Sequence, residues 1–472
     1  MKRGALTLGF AAALSGCMVG PDYQRPDAAV PDAYKEAGEW RPAQPRDDAS
    51  RGRWWELFGD PQLNSLIEQV EISNQNVLVA EAQFRQARAL VAASRAALFP
   101  TLTGNASITR SRSPTGVIGG TTAGRVITNR SASLDAGWEL DLWGQLRRTV
   151  EANTASSQAS SANLAAARLS AQAELASDYF QLRMLDAQKQ LLDDTAAAFQ
   201  KSLDLTKNRY DAGVAAKVDV VQAETQLRST QADAIDLGVQ RAQLEHAIAV
   251  LTGKPPAEFS IVRAPLAVSM PVIPLGMPSE LLERRPDIAA AERRVAAANA
   301  QIGVAKAAFF PSLTISASDG FRSADASQWF TAPSRFWSIG PALAQSIFDA
   351  GLRRAQTDQA VAGYDATVAE YRQTVLAGFQ EVEDNLAGLR ILEEEAKVQE
   401  DAVRAARESV ALTLNQYKAG TVSFLNVAVV QTTQLANERT AVGILGRRLV
   451  AAVTLVKALG GGWSAAELAS AD

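Results

Sequence analysis

One cysteine and one histidine occur in 472 residues. That scarcity excludes a disulfide within the chain, a cysteine-built metal site and a Cys/His dyad. No GxSxG, HExxH or phosphate-loop pattern and no metal-spaced cluster occurs, and one histidine leaves little acid–base equipment for a catalytic centre. Aromatics make up 6% of the chain, which argues against one large aromatic-rich core. The net charge of −4, with no dense basic patch, excludes nucleic acid as a partner. No segment approaches the roughly twenty apolar residues of a membrane helix. Proline and glycine are absent from Arg147 to Tyr210.

What is present is a duplication. Arg284–Ser318 reads RRPDIAAAERRVAAANAQIGVAKAAFFPSLTISAS, and Asn76–Ser107 reads NVLVAEAQFRQARALVAASRAALFPTLTGNAS. Each is an Ala-rich helical pattern that reaches an aromatic-proline pair, Phe99-Pro100 or Phe310-Pro311, and then switches to alternation. Proline ends a helix because it lacks the N–H and disfavours α geometry in the residue before it. Pro100 and Pro311 therefore mark helix–strand junctions.

The order of elements repeats as well. After an irregular arm (17–60), anchored by Trp54, Trp55 and Phe58, a helix is expected over 61–99. Strands at 101–109 and 131–143 follow within a segment 100–146. A helical hairpin then fills 147–253, turning at Gly213. A Pro-rich linker (254–278) leads to a second helix (279–310) and to strands 312–318 and 336–348 within 311–350. A second hairpin (351–460), turning at Gly420, and a short tail (461–472) complete the chain. Tyr210-Asp-Ala-Gly213 matches Tyr417-Lys-Ala-Gly420, and Leu146-Arg-Arg148 matches Leu352-Arg-Arg354. Val375, Val382, Leu389, Ala396, Val403, Val410 and Tyr417 fall seven apart, which implies left-handed supercoiling against a neighbour.

The helix over 147–210 predicts a rod of roughly 95 Å at about 1.5 Å per residue. Val218–Leu251 and Ser279–Phe310 laid end to end would match it at about 100 Å. In the first two strands Leu102, Leu134, Ala136 and Trp138 alternate with Thr103, Ser133, Asp135 and Glu139, so each strand has one apolar and one polar face. Four such strands cannot close a barrel and must combine with other copies. The apolar faces would meet lipid, with Asp135, Glu139 and Asp141 at a watery lumen or its rim. The architecture expected is α+β, a strand barrel continuous with a hollow helical cylinder.

The start of the chain has Lys2 and Arg3 before an apolar Ala5–Leu14, too short to span a bilayer. Leu14-Ser15-Gly16-Cys17 resembles the bacterial lipoprotein signal, in which the cysteine is lipidated and residues 1–16 are removed. Met18 after it resembles the outer-membrane-sorted class. The alternative is an ordinary signal peptide with a chance cysteine.

VGPDYQRP, WWELFGDPQLNSL, RRPDIAAAERRVAAANAQIGVAKAAFFPSL, the paired Tyr-x-Ala-Gly turns and LGRRLVAAVTLVKALGGGW together resemble the TolC-like outer-membrane efflux factors, lipoprotein branch. The resemblance implies a homotrimer with a 12-strand β-barrel and a periplasmic helical tunnel. It implies a periplasmic adaptor and an inner-membrane RND-type pump as partners, passive exit of drugs or other small molecules, and no cofactor. It implies a gate at the periplasmic helix turns. There Asp219 matches a family acid, Tyr210 and Tyr417 match the turn tyrosine, and Gly213 and Gly420 are adaptor contacts. Asn426 and Val429 stand where acids are common, so the second ring should be less cation-selective. The residues themselves leave alternatives open: Asp219 as a helix-start acid, the tyrosines as packing residues, the glycines as turn residues, and His246 as a surface residue. A trimeric coiled-coil lipoprotein without transport is the rival reading, and the strand pairs speak against it.

Overall fold

The computed structural model describes residues 18–37, 52–112, 114, 125–266, 270–273 and 277–470. Cys17 and the segment before it lie outside the described residues. Seven principal helices and four strands alternate: α1 (Pro61–Ser73), α2 (Gln75–Ala96), β1 (Thr101–Arg112), β2 (Val126–Leu140), α3 (Gln145–Asp211), α4 (Lys217–Leu251), α5 (Pro286–Ala307), β3 (Ser312–Ser323), β4 (Arg335–Ala344), α6 (Leu352–Lys418) and α7 (Phe424–Ala458). The duplication is visible in the lengths. Helices α3 and α6 have 67 residues each, about 100 Å at the α rise, and α4 and α7 have 35 each.

The chain divides into two compact units. One comprises residues 1–27, 84–160 and 291–371, and the other residues 28–83, 161–290 and 372–472. The first holds an antiparallel sheet in the order β1-β2-β3-β4. Leu102, Ile108, Ile339 and Leu343 remain mostly exposed on one face of it. On the other face Asp135 accepts hydrogen bonds from Asn105 Nδ2 (2.8 Å), Ser133 Oγ (2.8 Å) and Ser318 Oγ (2.5 Å). Asp141 stands after the strand. Its carboxylate accepts the backbone N–H of Leu146 and Arg147 at the start of α3 and pairs with the Arg147 side chain, placing an acid where the helix dipole favours one.

The second unit is held by buried helix stripes. Val375, Val382 and Leu389 of the heptad are buried, as are Leu175, Leu182 and Leu203 of α3. Trp54, Trp55 and Phe58 sit in a short 3-10 turn and are buried, with Trp54 Nε1 donating to Gln172 and Phe58 lying 4.9 Å from Phe180.

The expected helices 61–99 and 279–310 are both interrupted. At the first break, buried Asn74 accepts the N–H of Asn76 and Val77 and donates to Leu251 O, so one side chain ends α1 and caps α2. At the second, Pro286 occupies the first position of α5 and Arg285 before it is extended. The expected helix 279–310 is therefore a 3-10 turn (Pro278–Glu280), a short helix (Leu281–Arg284) and α5 with 22 residues, while α4 has 35 and α3 has 67. Both helices also end three residues before their phenylalanines, through tightened bonds such as Phe99 N–H to Ala96 O and Phe310 N–H to Ala307 O. All four strands differ from their expected bounds. β1 and β3 run further than expected and β2 begins earlier, while β2 and β4 stop short of Trp143 and Phe348.

Candidate functional site at the helix turns

The two turns are built alike. Gly213 has φ 76° and Gly420 φ 79°, the left-handed region that costs a residue with a Cβ. Gly213 N–H donates to Tyr210 O and Val214 N–H to Arg209 O. Gly420 N–H donates to Tyr417 O and Thr421 N–H to Gln416 O. Each pair is a Schellman C-cap, which satisfies carbonyls left over at the end of a long helix.

The tyrosines are not equivalent. Tyr417 is 3% exposed and Tyr210 is 40% exposed. The Tyr417 hydroxyl and the Thr206 hydroxyl lie 3.1 Å apart, and the Tyr417 ring meets Phe424 edge-on at 5.8 Å. Phe199, Leu203, Val220, Leu227, Phe424 and Val427 pack with it into one apolar cluster. Tyr210 has only Lys217, whose ammonium lies 5.5 Å from its ring. Packing therefore decides for Tyr417, and Tyr210 is a surface residue.

Arg209 joins the two turns. Its guanidinium lies 4.7 Å from the Tyr417 ring centroid and its Nη1 donates to Lys418 O at 3.1 Å. The matching position in the second repeat is Gln416, a neutral side chain, so this cation is present once per chain. In the sequence the only signal of Arg209 is its asymmetry with Gln416. Gln431 Nε2 to Ser202 Oγ (3.2 Å) also ties the two hairpins together, while the ion pair of Arg407 with Glu438 (2.6 Å) joins α6 to α7 within the second.

Asp219 is the third residue of α4. Its Oδ2 accepts the Ala216 N–H at 3.2 Å; alanine offers no acceptor in return, so this is half of a capping box. Asn426 holds the same place in α7, exposed, with its Oδ1 3.4 Å from Ser423 Oγ. Val429 is 56% exposed and lines a groove between α4 and α7 with Val221, Gln222 and Thr225. Asp219 is not among the residues lining that groove.

At the other pair of singled-out residues, Trp138 Nε1 donates to Leu98 O at 3.0 Å beside Pro100. Trp143 Nε1 donates to Pro311 O at 2.8 Å while its ring stacks on Phe310 at 4.7 Å. An indole thus seals the backbone at each junction. His246 is exposed, a surface residue as expected. Among the described residues no group of carboxylates, histidines or cysteines is placed to hold a metal ion.

Comparison with known proteins gives a consistent result. The family model described as outer membrane efflux protein matches residues 66–254 and again 277–461, one match per repeat. The probable efflux pump outer membrane protein TtgC of Pseudomonas putida is 32% identical over 98% of this chain and 96% of its own length. The pyoverdine export outer membrane protein OpmQ of Pseudomonas aeruginosa is 32% identical over 95% and 96%. The solved structure of the outer-membrane channel OprN superposes with a TM-score of 0.85 at 34% identity, covering 95% of this chain and 100% of that one.

Proposed function

Because the chain belongs to the outer membrane efflux protein family, and is an outer-membrane channel subunit of an efflux pump, we propose that three copies close its sheet into a 12-strand barrel. The observation that carries this is the sheet itself: four antiparallel strands, open at β1 and β4, with an exposed apolar face. Open edges of that kind demand partners, and closure needs about eight strands or more. Three copies supply four strands each, and only a closed barrel satisfies every backbone group in lipid.

In this reading Cys17 carries the lipid anchor, and the 67-residue helices with their shorter partners form a tunnel in the periplasm. The turns at Gly213 and Gly420 meet a periplasmic adaptor, which couples the channel to an inner-membrane RND-type pump. Pro100 and Pro311 mark the passage from tunnel to barrel. The chain supplies a passive conduit and the pump supplies energy and selection. One relative is named for pyoverdine export and others for toluene efflux, so the cargo we propose is small molecules, drugs and solvents among them, chosen elsewhere.

The closed state is held at the turns. Arg209 and Tyr417 lock the two hairpins of one chain, while a three-fold ring of Asp219 repels itself and attracts cations. The second ring, Asn426 and Val429, is neutral and partly apolar. Opening the turns requires exposing the cluster around Tyr417.

The test is complementation. A host lacking its own outer-membrane efflux channel, supplied with this chain, its genomic neighbour adaptor and pump, should regain resistance to the pump's substrates. Unchanged susceptibility with all three present in the membrane would contradict the reading. Cys17→Ser should abolish palmitate labelling, and normal labelling would remove the lipid anchor from it.

A further inference from the structure

The strand ladder assigns every residue of the sheet to one of two faces, and the polar face is nearly uniform. β1 places only Thr, Asn and Ser on it, in alternate residues from Thr101 to Ser111. On β2, β3 and β4 the residues in register with these are small or neutral except Asp135, Glu139, Arg322 and Phe336. The two acids lie toward the junctions at Pro100 and Pro311, where Glu139 pairs with Thr314 and Asp135 with Ser318. The other two lie at the far end, where Arg322 pairs with Ser131 and Phe336 with Gly320. Among the described residues of the strands, Arg322 is the one cation of this face and Phe336 the one aromatic.

The two are in contact. Arg322 Cζ lies 4.9 Å from the centroid of the Phe336 ring, within the range of a cation–π interaction. Gly320, opposite Phe336, is the one buried residue of β3, whereas Arg322 is exposed. A Cβ on Gly320 would come within 2.3 Å of Ala132 O, so no side chain fits there, and an aromatic opposite a strand glycine covers the bare backbone. The ring thus has a fixed seat, and the guanidinium rests against it.

The acids of the sheet are engaged elsewhere. Asp135 accepts from Asn105, Ser133 and Ser318. Its partner Ser318 stands four residues before Arg322, about 13 Å along the strand, beyond the Debye length of about 8 Å at physiological salt. Asp319 lies on the apolar face and pairs with Arg335 at 3.1 Å. Asp325, past the end of β3, accepts the Ser327 N–H and hydroxyl at 2.9 Å each and has Arg130 as its nearby cation. The β1–β2 connection, residues 113–125, contains no Asp or Glu. Because the polar face of β1 is neutral, the β1 edge of a neighbouring copy brings no acid to Arg322 in any register.

From Ser312 to Arg322 the strand rises about 33 Å, or about 25 Å of depth at a tilt near 40°, the height of an outer-membrane band. Twelve strands at that tilt enclose a lumen about 24 Å across between backbones. The axis is then about 12 Å from the wall, and a guanidinium at the end of its side chain stands nearer than that, within reach of its field. Rings of arginine are a means by which pores select anions, and the planar fork suits carboxylate.

We propose that Arg322, seated on Phe336, forms with its copies a cationic ring inside the barrel near the mouth away from the junctions, a subsite for small organic carboxylates on their way out. The proposal rests on the reading of this sheet as one third of an outer-membrane barrel. It gives the conduit a preference of its own, added to the selection made by the pump and opposite in sign to the Asp219 ring at the turns. Arg322 meets the cargo, and Phe336 positions it.

The experiment records single channels of the full lipidated chain in planar bilayers, with benzene-1,3,5-tricarboxylate, a three-fold anion, as probe. The tricarboxylate should interrupt the current of the parent, and 1,3,5-benzenetrimethanol, neutral and of the same shape, should not at equal concentration. Arg322→Gln should weaken the block roughly thirtyfold, from about threefold for each of three exposed ion pairs. Arg322→Lys keeps the charge without the fork and should fall between the two. Phe336→Leu leaves the arginine without its seat and should weaken the block by about threefold. Equal block by the two compounds, or an assembled Arg322→Gln channel that is blocked as the parent is, would overturn the proposal, and a Phe336→Leu channel blocked as the parent is would overturn the pairing. If Arg322→Gln fails to assemble, the parent decides, since absence of block by the tricarboxylate overturns the ring. Channels without arginine-dependent block refute this subsite alone, and absence of channels refutes the barrel reading.

Discussion

Truncating Tyr417 should loosen the helix turns far more than truncating Tyr210, although the two occupy matching places in the repeats. Tyr417 is 3% exposed within the apolar cluster of Phe199, Leu203, Val220 and Phe424. Removing a buried aromatic ring costs about 3–5 kcal/mol. Tyr417→Ala also removes the ring under Arg209 and the hydroxyl partner of Thr206. Tyr210 is 40% exposed and touches one lysine, so its loss should cost about 1 kcal/mol at most. Tyr417→Phe lies between them at about 1 kcal/mol, because the Thr206 hydroxyl still donates to Ser202 O at 2.8 Å. Hydrogen exchange of backbone amides in residues 199–227 and 410–431 reads this opening directly. Tyr417→Ala should accelerate exchange there by more than a hundredfold, the equivalent of about 3 kcal/mol, and Tyr210→Ala by about fivefold at most. Equal acceleration by the two alanine variants would refute the packing argument and return the tyrosines to symmetric roles.

Three further outcomes follow from the same geometry. Arg285→Met should lower stability by about 2–3 kcal/mol and the thermal midpoint by several degrees. Arg285 is buried and bonded to Asp287 (2.7 Å), Glu381 (2.8 Å) and Ala458 O (3.0 Å), and the half-exposed acids left behind can resolvate, which keeps the cost at the low end; an unchanged midpoint would show the network contributes nothing. Asp178 is pushed up to about 6, first by burial and then by the charge of Glu174. The folded chain therefore takes up a proton between about pH 6 and pH 4 that the unfolded chain does not, and this group's contribution makes the protein more stable as pH falls through that window. Asp178→Asn should remove that slope from a denaturation series, and an identical slope in the variant would assign it to other groups. Asp219→Ala removes the carboxylate that accepts the Ala216 N–H and one negative charge per chain. The reversal potential in a salt gradient should move toward zero, and an unmoved potential would leave Asp219 a helix-start residue only.

The duplication, the long helices and the helix–strand junctions were legible because they depend on local periodicity and on proline, which act within a few residues. Pro286 carries the same signal, since proline breaks the helix before it and starts the next; the break at Asn74 was not legible, because it interrupts an apolar stripe that continues on both sides. Asn74 could be recognised only through its bond to Leu251 O, 177 positions away. The distal halves of β1, β2 and β3 were hidden for a different reason. Arg110, Arg112 and Arg130 stand where the alternating pattern calls for apolar residues, and Asp319 does the same in β3. The pattern was broken there by chemistry rather than by the end of a strand.

The repeats also misled where they have diverged. Arg148 and Arg354 match in sequence, yet Arg148 is 1% exposed, bonded to Asp22 (2.8 Å) and Glu151 (2.7 Å) and to backbone carbonyls of Val19 and Gly20, whereas Arg354 is exposed. The difference is the N-terminal segment, which meets α3 of the first repeat at Arg148 and α5 of the second at Glu292 and Asn299, and leaves Arg354 uncovered. Its tyrosine, Tyr23, bonds Glu292, and Asn299 Nδ2 donates to Pro21 O at 3.0 Å. Arg209 and Gln416 are the same lesson at the turns: duplication predicts the backbone, and single substitutions within it assign the chemistry.

Single-channel recording of the purified full chain in planar bilayers tests the central claim most directly. An assembled trimer should give discrete conductance steps, and Tyr417→Ala should raise the open fraction without changing the subunit number seen by native mass spectrometry. A protein confirmed as trimeric that inserts and yet yields no steps, in parent and variant alike, would contradict the reading of this chain as a channel.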